Sequence, residues 1–128
     1  MVGFEVVGAF FGFLSVAFGA FGAHVLASHL SSQMMGVFDI GTQYQMYHAL
    51  ALLAVGILIQ RKLGGRLVVA AGWLFTVGIV LFSGSLYVLS MTDAKALGVL
   101  TPVGGLCLLA GWVFLAVGLW KGVRSERV

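Results

Sequence analysis

The stretch IGTQYQMYHALALLAVGILIQ, Ile40 to Gln60, contains no Asp, Glu, Lys or Arg and is followed at once by Arg61-Lys62. As a helix it extends roughly 32 Å, enough to cross a hydrocarbon core about 30 Å thick. A charge-free run of that length closed by paired cations reads as a membrane span with one end marked. Three further charge-free runs surround it, Val6 to Phe38, Leu67 to Thr92 and Ala96 to Trp120. Each is long enough to hold a span.

The composition agrees. Of 128 residues 61% are apolar and 9% charged, with a mean hydropathy of +1.11. A soluble domain is about half apolar and a quarter charged. The pattern predicts an all-α membrane protein, one domain over 1–128, with transmembrane helices at about 3–23, 42–60, 67–90 and 101–121. The lipid bilayer is then its first partner. The formal charge of +3 comes from a few basic residues at the ends of apolar runs, so no nucleic-acid surface is expected. The single cysteine, Cys107, excludes an intrachain disulfide.

Ala20-Phe21-Gly22 satisfies the small-x-small rule for signal cleavage. No Lys or Arg precedes the run, however, Glu5 does, and the run exceeds a signal core of about 7–15 residues. It is expected to stay as a helix. Arg61, Lys62 and Arg66 in the second connector share a side with Lys121, Arg124 and Arg127 in the tail, and Lys95 stands alone on the other. The positive-inside rule then predicts both termini in the cytoplasm, in a bacterial inner membrane.

Between the first two spans, Ser31-Ser32 can cap a helix, and Met34, Met35 and Phe38 follow without punctuation. The expectation is a short amphipathic helix over about 31–41, lying on the outer surface and bending into the membrane near Gly41-Thr42. The second connector, with Gly64-Gly65, and the third, with Asp93, read as tight turns.

Gly8, Gly12, Ser15, Gly19 and Gly22 alternate steps of four and three, placing small residues on one seam of the first helix. Gly104, Gly111 and Gly118 repeat every seven residues in the fourth and are expected to form the complementary seam. Close backbone approach of this kind drives helix association in lipid. It serves packing within one subunit as readily as a homo-oligomer.

Depth places the polar residues. Counting from Arg61, His48 lies about 20 Å and Gln45 about 24 Å into the core; from Arg66, Ser83 lies about 26 Å and Ser85 about 29 Å in. His24, Tyr44, Tyr47, Tyr87 and Thr101 fall at the same outer level, and the tryptophans are expected in the inner half. Polar groups in hydrocarbon need partners, so His24, Tyr44, Gln45, His48, Ser83, Ser85, Tyr87 and Thr101 form a candidate outer binding layer. Plainer readings exist for most: an aromatic belt for the tyrosines, a Thr101-Pro102 helix start, and serines bonded to their own helix. Glu5 can pair with Arg66 or Lys121, or face water. His48, an ionisable side chain inside the membrane, is either a hydrogen-bond hub or a ligand or proton site.

His24, His29 and His48 with Met34, Met35 and Met46 make a soft-ligand inventory that suits copper, but their spacings match no metal motif, and haem ligation has less support. No cofactor is expected. There is no phosphate-binding Walker loop, H-E-x-x-H, nucleophile elbow or carboxylate pair, so no enzyme class is supported.

GAFGAH at Gly19–His24, FDIGTQYQMYHALALL at Phe38–Leu53, GIVLFSGSLYVL at Gly78–Leu89 and LTPVGGLCLLAGW at Leu100–Trp112 resemble the signature blocks of the bacterial domain-of-unknown-function family 423. That family has small eukaryotic transmembrane relatives. The resemblance implies a four-helix inner-membrane protein and carries over His24, Tyr44, Gln45, His48, Ser83, Ser85, Tyr87, Thr101 and Pro102. The connector VLASHL departs from the lysines of many relatives, so no outer basic surface is inferred. Two functions remain open. One is a non-enzymatic oligomeric or accessory subunit of a membrane complex; the other is an outward-facing binding or transport protein, for a small molecule, lipid headgroup or metal, centred on His48. Proton-coupled export lacks its mid-membrane carboxylate.

Overall fold

A computed structural model describes residues 3–92 and 94–126. Four helices account for most of them: α1 (Phe4–His24), α2 (Ser32–Gln60), α3 (Gly65–Thr92) and α4 (Leu100–Glu126). Short 3-10 turns, Leu26–Ser28 and Lys95–Val99, fill the first and third connectors. All four helices are long and apolar enough to cross a membrane. No strand occurs among the described residues. Asp93 and Arg127 lie outside the described residues.

Local chemistry sets the ends. The Ser31 hydroxyl accepts the Met34 N–H at 3.2 Å, capping α2. Between α2 and α3 the backbone turns through left-handed Lys62, Gly64 and Gly65, with φ of 57°, 82° and 58°. Two glycines make that conformation cheap.

The first connector differs from expectation. Residues 31–41 form no separate helix with a bend at Gly41-Thr42; they are the opening turns of the continuous 29-residue α2. The helix survives Gly41 because the Tyr87 ring occupies the space beside it: a methyl on Gly41 would meet that ring at 2.7 Å. Thr42 Oγ1 also donates back to the Asp39 carbonyl at 2.9 Å, inside the helical frame. At about 43 Å, α2 is longer than the hydrocarbon core, so its extra turns stand at one end of the bundle.

The core is built mainly from α2 and α3, where Leu52, Val55, Val68, Ala71 and Phe75 are fully buried, and α4 adds Leu108 and Leu115. The large apolar side chains Phe10, Phe13, Leu50, Val80, Leu106 and Leu109 face outward. That inversion suits lipid as solvent.

The glycine seams do not meet each other. α1 packs on α2, α2 on α3 and α3 on α4, and α1 and α4 form no comparable seam. A methyl on Gly8 would strike the Ala49 carbonyl at 2.6 Å, and one on Gly22 the Phe38 ring at 2.7 Å, so the α1 seam rests on α2. Ser15 Oγ donates to the Thr42 carbonyl at 2.7 Å along it. Gly12 lies looser, its added methyl 3.9 Å from Ala49, and Gly19 has nothing within 4 Å. The α4 seam rests on α3: Gly104 on the Phe82 backbone, Gly111 on the Phe75 ring, and Gly118 on Gly64 and Leu67. The two seams were complementary only by periodicity. Each found its nearer partner, and that leaves the flank between α2 and α4 open.

Candidate functional site

The outer-layer residues separate into ties and a groove. Gln45, 2% exposed, is the central tie. Its Nε2 donates to the Phe11 carbonyl of α1 at 2.8 Å, and its Oε1 accepts the Tyr87 hydroxyl of α3 at 2.5 Å. Tyr87 is held by the rings of Phe18 and Phe38, with centroids 5.2 and 5.1 Å away. Ser83 Oγ donates to the Gly41 carbonyl at 2.7 Å, joining α3 to α2. Ser85 and Thr101 share a hydroxyl bond of 2.6 Å, joining α3 to α4. Among the described residues no buried side-chain polar atom lacks a partner. Such saturation is what a dry interior demands.

His24 is exposed at the end of α1 and takes no part. His29 is exposed too, its Nδ1 near the Val25 carbonyl at 2.9 Å and the Ser28 hydroxyl at 3.0 Å. The three histidines therefore do not converge. No group of three His, Cys, Asp or Glu able to hold a metal is found among the described residues.

His48 is 4% exposed, and its partner is one the sequence analysis did not name for it. Trp112 Nε1 donates to His48 Nε2 at 3.0 Å, and His48 Nδ1 lies 2.7 Å from the Tyr44 carbonyl. A carbonyl only accepts and an indole N–H only donates, so this geometry assigns the neutral ring with its proton on Nδ1. Trp112 sits at the middle of α4 and is the hydrogen-bond partner of His48. Counting inward from Thr101 puts Trp112 about 16 Å deep, a signal that brings it near His48. Ser83, Ser85 and His24 make no hydrogen bond to His48.

Beside this pair lies a cavity of about 740 Å³ between α2 and α4, floored by Phe82 of α3. Tyr44 and Pro102 stand at its rim, at the end of the bundle where α4 begins, and Leu109 and Trp112 line its deeper part. Along α4 from Pro102 to Trp112 it runs about 15 Å. Tyr47, Leu106 and Trp112 on its edges are 54%, 66% and 45% exposed, so it opens sideways towards lipid. Gly105 contributes an empty stretch of wall: a methyl there would come no closer than 3.7 Å to Phe82. The sequence signal for the groove is Gly105 close to Pro102; the sequence analysis singles out Gly104 for packing and Thr101-Pro102 as a helix start, and does not single out Gly105.

Glu5 takes neither expected cation. Its Oε1 accepts Gln60 Nε2 at 3.0 Å, linking the first turn of α1 to the last of α2.

A family model described as "Protein of unknown function (DUF423)" matches residues 18–105. Named relatives align nearly end to end. The UPF0382 membrane protein YwdK of Bacillus subtilis is 44% identical over 118 residues, covering 92% of this chain and 96% of that one. A UPF0382 membrane protein of Staphylococcus haemolyticus is 43% identical over 120 residues, covering 94% and 97%. The UPF0382 inner membrane protein YgdD of Escherichia coli is 41% identical over 125 residues, covering 94% and 95%. No solved structure matches the chain. With four apolar membrane-length helices and matches of this extent, the chain belongs to the DUF423 family of membrane proteins.

Proposed function

We propose that this protein binds a lipid-soluble molecule with an elongated apolar body in the groove between α2 and α4. The observation that carries this is the groove itself, about 740 Å³ beside a buried, fully bonded His48–Trp112 pair. That volume lies in the ordinary range for small-molecule sites, about 300–1,000 Å³. The tyrosine hydroxyls at its rim offer hydrogen bonds to a polar head. His48, with both nitrogens engaged, positions Trp112 as a wall.

The reading is tested by extracting the protein gently from its native membrane and identifying bound small molecules by native mass spectrometry. A defined compound is expected with the natural chain. Gly105→Leu, which fills the groove from a wall with free space, is expected to lose it without lowering the melting temperature. Retention of the compound by Gly105→Leu, or no compound on the natural chain, would refute the proposal.

The groove is expected to open toward the outer leaflet, with both termini cytoplasmic in an inner membrane. Supporting this, the described basic residues Arg61, Lys62, Arg66, Lys121 and Arg124 gather at the end where α1 begins and α4 finishes, with Lys95 at the other. A second reading, assembly with another copy or as an accessory subunit, is favoured by α1. That helix is covered along one side only, and Gly19 is open on it. A lone monomer in native membranes would sink that reading.

A further inference from the structure

A second cavity lies at the opposite end of the bundle, between α1, α2 and α3. We infer that it seats a phospholipid whose headgroup carries a primary ammonium, held by the Glu5 carboxylate.

The cavity holds about 350 Å³ and has Glu5 and Gln60 at its rim. Its wall descends along α3 through Val69 and Trp73 to Thr76. From the start of α3 at Gly65, Thr76 is about 17 Å deep, so the cavity reaches from the headgroup level well into the hydrocarbon. Phe4 and Trp73 meet edge to face at 5.4 Å and form an aromatic side to it. The lower part therefore suits an acyl chain.

The rim carries the specificity. Glu5 is an acid at the end of the bundle where the basic residues collect, yet its carboxylate is bonded to an amide, Gln60 Nε2, at 3.0 Å. The seat is shaped by the absence of a side chain across from it: a methyl on Gly56 would meet the Glu5 backbone nitrogen at 2.5 Å and its Cβ at 2.7 Å. α1 thus lies against α2 at this point, and the carboxylate sits on the lip of an apolar channel. With Nε2 committed to Glu5, the Gln60 carbonyl oxygen is left as a second acceptor.

Charge complementarity selects the occupant. A primary ammonium has three donors, which matches a carboxylate, an amide oxygen and the lipid's own phosphate. Arg61, next to Gln60, and Arg66, in the first turn of α3, are exposed cations at the same level for that phosphate. A trimethylated headgroup has the same charge but no donor. A divalent metal is a poor match, since one carboxylate is offered and no three-ligand cluster exists among the described residues. The inference is independent of the α2–α4 groove.

The test compares two lipids with identical acyl chains, one with an ethanolamine and one with a choline headgroup. Each is offered in equal amount to the delipidated full chain, and bound lipid is read by native mass spectrometry. The ethanolamine lipid is expected to be retained about tenfold better, the scale of one charge-assisted hydrogen bond. Glu5→Gln is expected to bring the two to near parity. Val69→Trp fills the channel at a position that is 38% exposed and is expected to lower retention of both lipids, so the site remains testable if Glu5→Gln fails to fold. Equal retention of the two lipids by the natural chain, an unchanged preference in Glu5→Gln, or full retention by Val69→Trp would overturn the inference.

Discussion

Replacing Gln45 by Leu tests whether the outer polar residues are ties between helices or a free binding surface. The side chain bonds α1 at 2.8 Å and α3 at 2.5 Å, and it is 2% exposed. Hydrogen bonds between membrane helices average about 0.6 kcal/mol and reach about 1.7 kcal/mol. Two of them make the expected loss for Gln45→Leu about 1–3 kcal/mol. Tyr87→Phe removes one, for a loss of about 0.6–1.7 kcal/mol. Because Gln45→Leu already breaks the tyrosine bond, the double variant is expected to cost little more than Gln45→Leu alone. The coupling is then about 0.6–1.7 kcal/mol, against scatter of about 0.3–0.5 kcal/mol for independent sites. Unfolding in mixed micelles with increasing dodecyl sulfate, followed by circular dichroism, measures all four corners of the cycle. Costs that simply add, or a neutral Gln45→Leu, would refute the tie and return Gln45 and Tyr87 to the pool of ligand-binding candidates.

Two further outcomes are expected. Gly8→Ala pushes a methyl to within 2.6 Å of the Ala49 carbonyl and is expected to cost about 1–3 kcal/mol or more, whereas Gly19→Ala, with open space, is expected to be neutral or to gain up to about 1 kcal/mol of helix propensity; thermal melts in detergent decide both. In a Cys107→Ser background, a cysteine at the exposed Lys95 is expected to react with a membrane-impermeant maleimide in intact cells, and one at the exposed Arg61 only after the membrane is opened; the reverse pattern would invert the topology.

The four spans were legible because hydropathy and helix rise fix which residues cross a bilayer whatever their neighbours are. Charge at the run ends was equally legible, and so was the presence of a polar layer. The continuity of α2 was not. Gly41-Thr42 in isolation permits a break, whereas in the structure α2 runs through it as one helix with the ring of Tyr87, some forty residues later in the chain, packed beside it. The partner of His48 was hidden for a related reason. Depth along a helix can be counted, but the direction a side chain points depends on how the helix is rotated against its neighbour.

That rotation is what the sequence left open. Small residues let backbones approach, and without a hydrophobic drive in lipid, periodicity says that a seam will be filled but not by which helix. Two glycine seams of similar spacing were therefore equally able to meet each other or to meet different partners. Shape decided it. Gly8 and Gly22 accept α2, while Gly104, Gly111 and Gly118 accept α3. Setting α4 on α3 in that register turns Trp112 toward His48 and leaves the groove beside it. Composition and the charge-free runs determined that the chain lies in a membrane as four helices; the complementarity of a few glycines to particular rings and carbonyls determined where it has room to bind anything.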